Sequence, residues 1–271
     1  ISARDLDGRT DFRAWPIVTI DGEHARDFDD AISLERLPNG HYWLGVHIAD
    51  VSHYVQEGSA LDEEARLRGT SVYFPERAVH MFPSELSTGL CSLNPHVDRL
   101  VQSCLMEVDR DGRVVRYEIH DGVIHSHARM TYTDVNAIVA DRDPALRERY
   151  GTLVQLFDLM HELFGVLQAR RHRRGSIDFD LPETEVVLSE YGEIEAIVAS
   201  ERNVAHRLIE EFMLLANETV AAHVVAHDIP SLHRVHEAPD LKKVEEFAEF
   251  IEPFGYRSEE HTSELQSRET I

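Results

Sequence analysis

The stretch "TIDGEHARDFDDAIS", Thr19 to Ser33, sets five carboxylates (Asp21, Glu23, Asp27, Asp29 and Asp30) within ten positions. Unpaired carboxylates repel one another, so a folded chain gathers them only where arginine, water or a bound divalent cation offsets the repulsion. Around them, residues from about Trp15 to Ser33 mix β-branched side chains with the acidic run, the pattern of a strand running into a loop.

Working outward, "HYWLGVHIADVSHYV" alternates apolar and polar residues and predicts a strand over Tyr42 to Ile48, with "PNG" at Pro38 to Gly40 as the preceding hairpin turn. "SALDEEARLRG" predicts a short helix with Ser59 as N-cap and Gly69 as stop. Leu100 to Ile124 reads as a second hairpin, turning at Asp109 to Gly112.

The second half is helical. Leu153, Leu156, Phe157, Met160, Leu163, Phe164 and Leu167 recur at the spacing of a buried helix face, and Gly175 ends that helix after "ARRHRR". Extended structure is expected through "SIDFDLPETEVVL", and a second long helix from an N-cap at Ser200 to about His227. The reading is one mixed α+β domain over residues 1–256, strand-rich first and helical after.

Residues 257–271, "RSEEHTSELQSRETI" after Tyr256, lack hydrophobic periodicity and read as polar coil. The string resembles translated sequencing-library adapter DNA, so Arg257 to Ile271 are expected to be non-native and disordered. The first residue is isoleucine, and the chain reads as a piece of something longer.

A net charge of −23 argues against a broad basic nucleic-acid surface while leaving room for a local channel. Cys91 and Cys104 are too few for a disulfide framework and are expected as reduced thiols in the cytoplasm. No apolar run approaches the roughly 18 residues of a membrane span.

Asp21, Asp27, Asp29 and Asp30 stand at offsets 0, 6, 8 and 9. Were the last three extended, Asp27 and Asp29 would point to one side and Asp30 to the other. Such hard oxygen donors suit Mg²⁺, with Mn²⁺ as substitute, better than zinc. An EF-hand fails, because Ala31 falls where an acidic ligand is required and the loop lacks its glycine. Spacing alone leaves a solvated acidic loop, relieved by Arg26, equally open. His47, Asp50 and His53 imitate a metal triad, but the predicted strand before them argues against helical ligand geometry.

"VTIDGEHARDFDDAIS" resembles the catalytic motif of the ribonuclease II / ribonuclease R family of hydrolytic 3′-to-5′ exoribonucleases. "LGVHIADVSHYV", "GTSVYFPERAVHMFPSELSTGLCSLNP", "RRGSIDFDLPE", "RNVAHRLIEEFMLLAN" and "LHRVHEAPDLKKVEEF" are similar to that family in the same order, from Ile17 to Tyr256. The resemblance implies an RNB-type catalytic domain in which Asp21, Asp27, Asp29 and Asp30 hold magnesium, Asp30 being the most sharply catalytic. It implies RNA contacts for Tyr73, a clamp on the 3′-terminal nucleotide for Tyr132, an opposing stacking partner in Phe179, and a terminal-nucleotide contact for Glu210 or Glu211. A helical wheel places Glu211 nearer the apolar side. Read without the resemblance, the three aromatics suit a core, the glutamates a solvated helix face, and Arg170 to Arg174 either RNA phosphates or a helix C-terminus.

The implied activity is degradation of single-stranded RNA to 5′-mononucleotides by a monomeric parent. The family's later "TSPIRRY"-like segment and its flanking cold-shock and S1 domains have no counterpart in the sequence, so weak or absent activity of the chain alone is expected. Two other classes stay open: a non-catalytic RNA-binding module that keeps the fold, and a metal hydrolase of another phosphodiester.

Overall fold

A computed structural model describes residues 1–74, 77–176, 183–189, 193–200, 202–233, 235 and 237–255. The strands are β1 (Thr10–Asp11), β2 (Val18–Asp21), β3 (Asp30–Arg36), β4 (Tyr42–Ala49), β5 (Val72–Tyr73), β6 (Ala78–Val79), β7 (Asp98–Val108), β8 (Val114–His125), β9 (Ala128–Thr131), β10 (Glu183–Leu188) and β11 (Ile194–Ser200). The helices are α1 (Val51–Tyr54), α2 (Ala60–Arg68), α3 (Tyr132–Val139), α4 (Pro144–Arg149), α5 (Val154–Arg173), α6 (Val204–Ala226) and α7 (Leu241–Ile251). A π-helical turn spans Glu85–Leu90, and a 3₁₀ turn spans Glu252–Phe254.

A seven-stranded sheet in the order β1-β8-β7-β4-β3-β2-β9 organises the domain. β3, β4, β7 and β8 form an antiparallel meander, with Gly40 and Gly112 at positive φ in its two tight turns. β9 returns to lie parallel to β2, pairing Val18 with Ala128 through Asp21 with Thr131.

Both faces of the sheet are covered, which explains why its central strands are buried almost throughout. On one face Ile20, Ile32, Leu44, Val46 and Met106 pack against α3, α5 and α6 through Val135, Phe157, Met160, Leu163, Leu208 and Phe212. Full burial of each such side chain is worth about 1.5–3 kcal/mol. On the other face Phe12, Ile17, Phe28, Trp43, Leu93 and Leu105 form a second core. Among the described residues no helix is long and apolar enough to cross a membrane.

The mixed α+β reading stands, as do the Ser59 N-cap and Gly69 stop of α2. The N-cap expected at Ser200 does not. β11 runs through Ser200, and α6 is capped by Asn203, whose side chain accepts from the Ala205 and His206 N–H groups. Residues 257–271 lie outside the described residues, as does Phe179.

Candidate active site at the acidic loop

Asp21 closes β2 and Asp30 opens β3; residues 22–29 between them form the acidic loop. Two anchors hold this loop. Arg129 of β9 donates through Nη2 to the Gly22 carbonyl at 2.6 Å and the Glu23 carbonyl at 2.7 Å, and Thr133 bonds the Glu23 carboxylate. At the far end buried Ser92 accepts from the Phe28 N–H at 3.0 Å and donates to the Arg26 carbonyl at 2.9 Å. The Leu93 N–H adds a bond to the Phe28 carbonyl, and the Ala49 N–H one to the Asp29 carbonyl. With Phe28 sunk in the second core, the loop is fixed, and its carboxylates are presented together.

Their repulsion is only partly compensated. Burial, and then the neighbouring charges of Asp30, Asp29 and Asp27, push the Asp21 carboxyl up to about 7, with Arg129 opposing. Burial and Asp29 push Asp30 up to about 6, and burial and Asp27 raise Asp29. Asp21 Oδ2 and Asp30 Oδ2 are shielded from solvent with no hydrogen-bond partner among the described residues. Orphaned hard oxygens held close against their own repulsion fit a divalent cation of the magnesium type. Among the described residues no three His, Cys, Asp or Glu side chains already converge as a finished ligand set, so the donors are of the right kind but not closed around one point.

The aspartates face two neighbourhoods. Asp27 and Asp29 line a cavity of about 300 Å³ with Tyr73, His80, Met81, Phe82, Ser87 and Cys91. There the Tyr73 hydroxyl donates to Asp27 Oδ2 at 2.5 Å while the residue as a whole stays 64% exposed. His80 Nδ1 stands 3.8 Å from the same oxygen. Tyr132 lies beside Asp21 and Asp30; burial and then those two charges push its hydroxyl up to about 12. Asp27 and Asp29 sit in the loop and not in a strand, so the loop, and not strand alternation, turns them to the cavity.

Tyr132 stacks on His206 at the start of α6. Further along the helix, Glu211 is 5% exposed and ion-paired with Arg171 at 2.7 Å, whereas half-exposed Glu210 pairs with Arg202. The helical wheel therefore ranks the two correctly by burial. Arg170 bonds the Gly112 carbonyl, Arg173 the Asp111 carbonyl and the C-cap Arg174 the Glu218 carboxylate, so these cations tie the end of α5 to the protein. His47, Asp50 and His53 do not form a metal triad. His47 is fully buried, bonded to Ser33 and Ser103 and pushed down to about 3, while Asp50 pairs with Arg9 and caps α1. Sequence reading missed Arg129, Ser92, His80 and His206, because each matters through a partner distant in the chain.

A family model described as RNB domain matches residues 9–270, a span that runs into the terminal stretch read above as non-native. Ribonuclease R of Aquifex aeolicus is 48% identical over 257 residues, which cover 95% of this chain and 36% of that protein. Ribonuclease R of Thermotoga maritima is 49% identical over 259 residues, again 95% of this chain and 36% of that protein. The chain therefore spans about a third of the length of these curated relatives. A solved structure of Mycoplasma genitalium RNase R in complex with ribose-methylated single-stranded RNA superposes with a TM-score of 0.86 at 32% identity, covering 94% of this chain and 40% of that one.

Proposed function

The chain belongs to the RNB domain family, and from that premise we propose that it is the catalytic domain of a hydrolytic 3′-to-5′ exoribonuclease. The substrate is single-stranded RNA, the products are 5′-mononucleotides, and the cofactor is Mg²⁺, with Mn²⁺ able to replace it. The observation that carries the reading is the pair of shielded, unpartnered oxygens on Asp21 and Asp30, where burial and the charges of neighbouring aspartates raise the proton affinity of both.

Asp21, Asp27, Asp29 and Asp30 would hold the cation, which when bound polarises the scissile phosphate and lowers the pKa of water. The protein's own groups do the rest. Tyr132 and Phe179 stack the terminal bases, and exposed Tyr73 offers its ring while its hydroxyl steadies Asp27. Glu210 or Glu211 contacts the terminal nucleotide. Stacking is worth about 1–3 kcal/mol per base and accepts every base, as an enzyme of broad sequence range requires. Two buried thiols, Cys91 and Cys104, support a cytoplasmic setting. Residues 1–256 form the domain in this reading, and residues 257–271 are no part of it.

The test is incubation of the complete protein with single-stranded RNA, or DNA of the same sequence, in Mg²⁺ or EDTA. Mononucleotides should form from RNA alone, vanish in EDTA and in Asp30→Asn, and leave RNA binding intact. Binding without cleavage would favour a non-catalytic module, and equal cleavage of DNA would favour a different phosphodiesterase.

A further inference from the structure

We propose that Arg129 is a positioning residue for the cation site, tying the acidic loop to the strand that leads into Tyr132; this rests on the reading of the four aspartates given above. Arg129 lies in β9 opposite Thr19, two residues before Thr131, the register partner of Asp21. Its Nη2 donates to the two carbonyls that follow Asp21, those of Gly22 and Glu23. Its guanidinium carbon stands 5.6 Å from the ring centroid of Phe28, the residue between Asp27 and Asp29. One side chain therefore grips the loop where it leaves β2 and again where it presents its last aspartates.

The chemistry is specific to arginine. One nitrogen, Nη2, bonds both carbonyls, which an ammonium could imitate in part, while the planar guanidinium also offers a flat face to the Phe28 ring, which an ammonium lacks. Arg129 directs these donors at backbone oxygens and not at the aspartates themselves, so the carboxylate oxygens remain open to a cation. Its positive charge has a second, contrary effect, because it opposes an incoming cation. The two roles predict opposite signs on removal. Loss of a group that orients ligands loosens metal binding, whereas loss of a rival cation tightens it.

The experiment titrates Mn²⁺ into the wild-type chain, Arg129→Met and Arg129→Lys, following the electron paramagnetic resonance of free Mn²⁺, with a melting curve of each protein. Arg129→Met should weaken Mn²⁺ binding about tenfold, and Arg129→Lys should recover only part of that loss. Tighter binding in Arg129→Met, or unchanged binding with only a lower melting temperature, would overturn the proposal. Should the methionine variant fail to fold, wild-type affinity in Arg129→Lys would overturn it equally. A wild-type chain that binds no Mn²⁺ would instead sink the reading of the aspartates, and this inference with it.

Discussion

His206 lies flat against Tyr132, with ring centroids 3.9 Å apart and planes 24° from parallel. The imidazole is held by Asn203, whose Oδ1 stands 2.9 Å from His206 Nδ1 and also accepts from the backbone N–H groups of Ala205 and His206. That oxygen can only accept, so Nδ1 carries the proton and the tautomer is set by the helix cap. Asn203→Ala should cost about 0.5–2 kcal/mol in urea unfolding and diminish the near-ultraviolet signal of the stacked tyrosine. Asn203→Asp, which keeps the acceptor, should retain most of the stability. Equal losses in both variants would contradict the capping role.

The Tyr73 side chain does two separable things, through its hydroxyl and through its ring. Tyr73→Phe removes the bond to Asp27 Oδ2 but leaves the exposed ring. Tyr73→Ala removes both. Anisotropy with 3′-labelled single-stranded RNA in EDTA should show the phenylalanine variant within about twofold of wild type and the alanine variant weakened about 5- to 100-fold, the loss of one stacked base. Equal weakening would mean that the ring does not meet RNA.

The raised aspartates make stability depend on pH with a definite sign. Asp21 and Asp30 keep their protons to about 7 and about 6 in the fold, against an ordinary value of 3.8. The folded state therefore binds more protons than the unfolded chain in that window, and stability falls as pH rises through it. Burial of His47, pushed down from 6.5 to about 3, works the other way below its ordinary value. Without divalent cations the melting temperature should drop between about pH 6.5 and about pH 8, and Mn²⁺ should restore it. Asp21→Asn should flatten that drop, raise the cation-free melting temperature at the higher pH, and abolish the gain from Mn²⁺. A slope that persists in the variant would assign the effect elsewhere.

Gly45 is required for space. A Cβ there would collide with Ser33 Oγ and stand 2.8 Å from His47 Nε2, in the middle of the buried Ser33–His47–Ser103 hydrogen bonds. Gly45→Ala should destabilise the domain by about 1–3 kcal/mol, measured by denaturant unfolding. A neutral effect would show that β4 can shift without cost.

Much of this architecture was legible from residue spacing. The apolar faces of α5 and α6, the cap and stop of α2 and the two glycine-containing hairpin turns follow local rules that a sequence displays directly. The N-cap of α6 was not legible, because Ser200 and Asn203 are both competent caps and the choice falls to β10, which pairs Glu183 with Ser200 and holds it in the sheet. The aspartates announced themselves by density. Their supports did not, since Arg129 meets Gly22 across 107 residues and Ser92 meets Phe28 across 64, distances over which local pattern carries no information.

The β2–β3 ladder is short. Among the described residues it is carried by the Val18–Ile32 pair, whereas β2 runs in register with β9 along its whole length. The sheet thus divides into two leaves meeting at a narrow seam, with Asp21 at the rim of one leaf and Asp30 at the rim of the other. The two shielded oxygens therefore belong to strands joined by that one pair and by the core beneath them, in which Ile20 and Ile32 share a cluster. A cation seated between them would thus bridge two strands that the backbone itself joins at one register pair, adding a cross-link where the ladder is shortest.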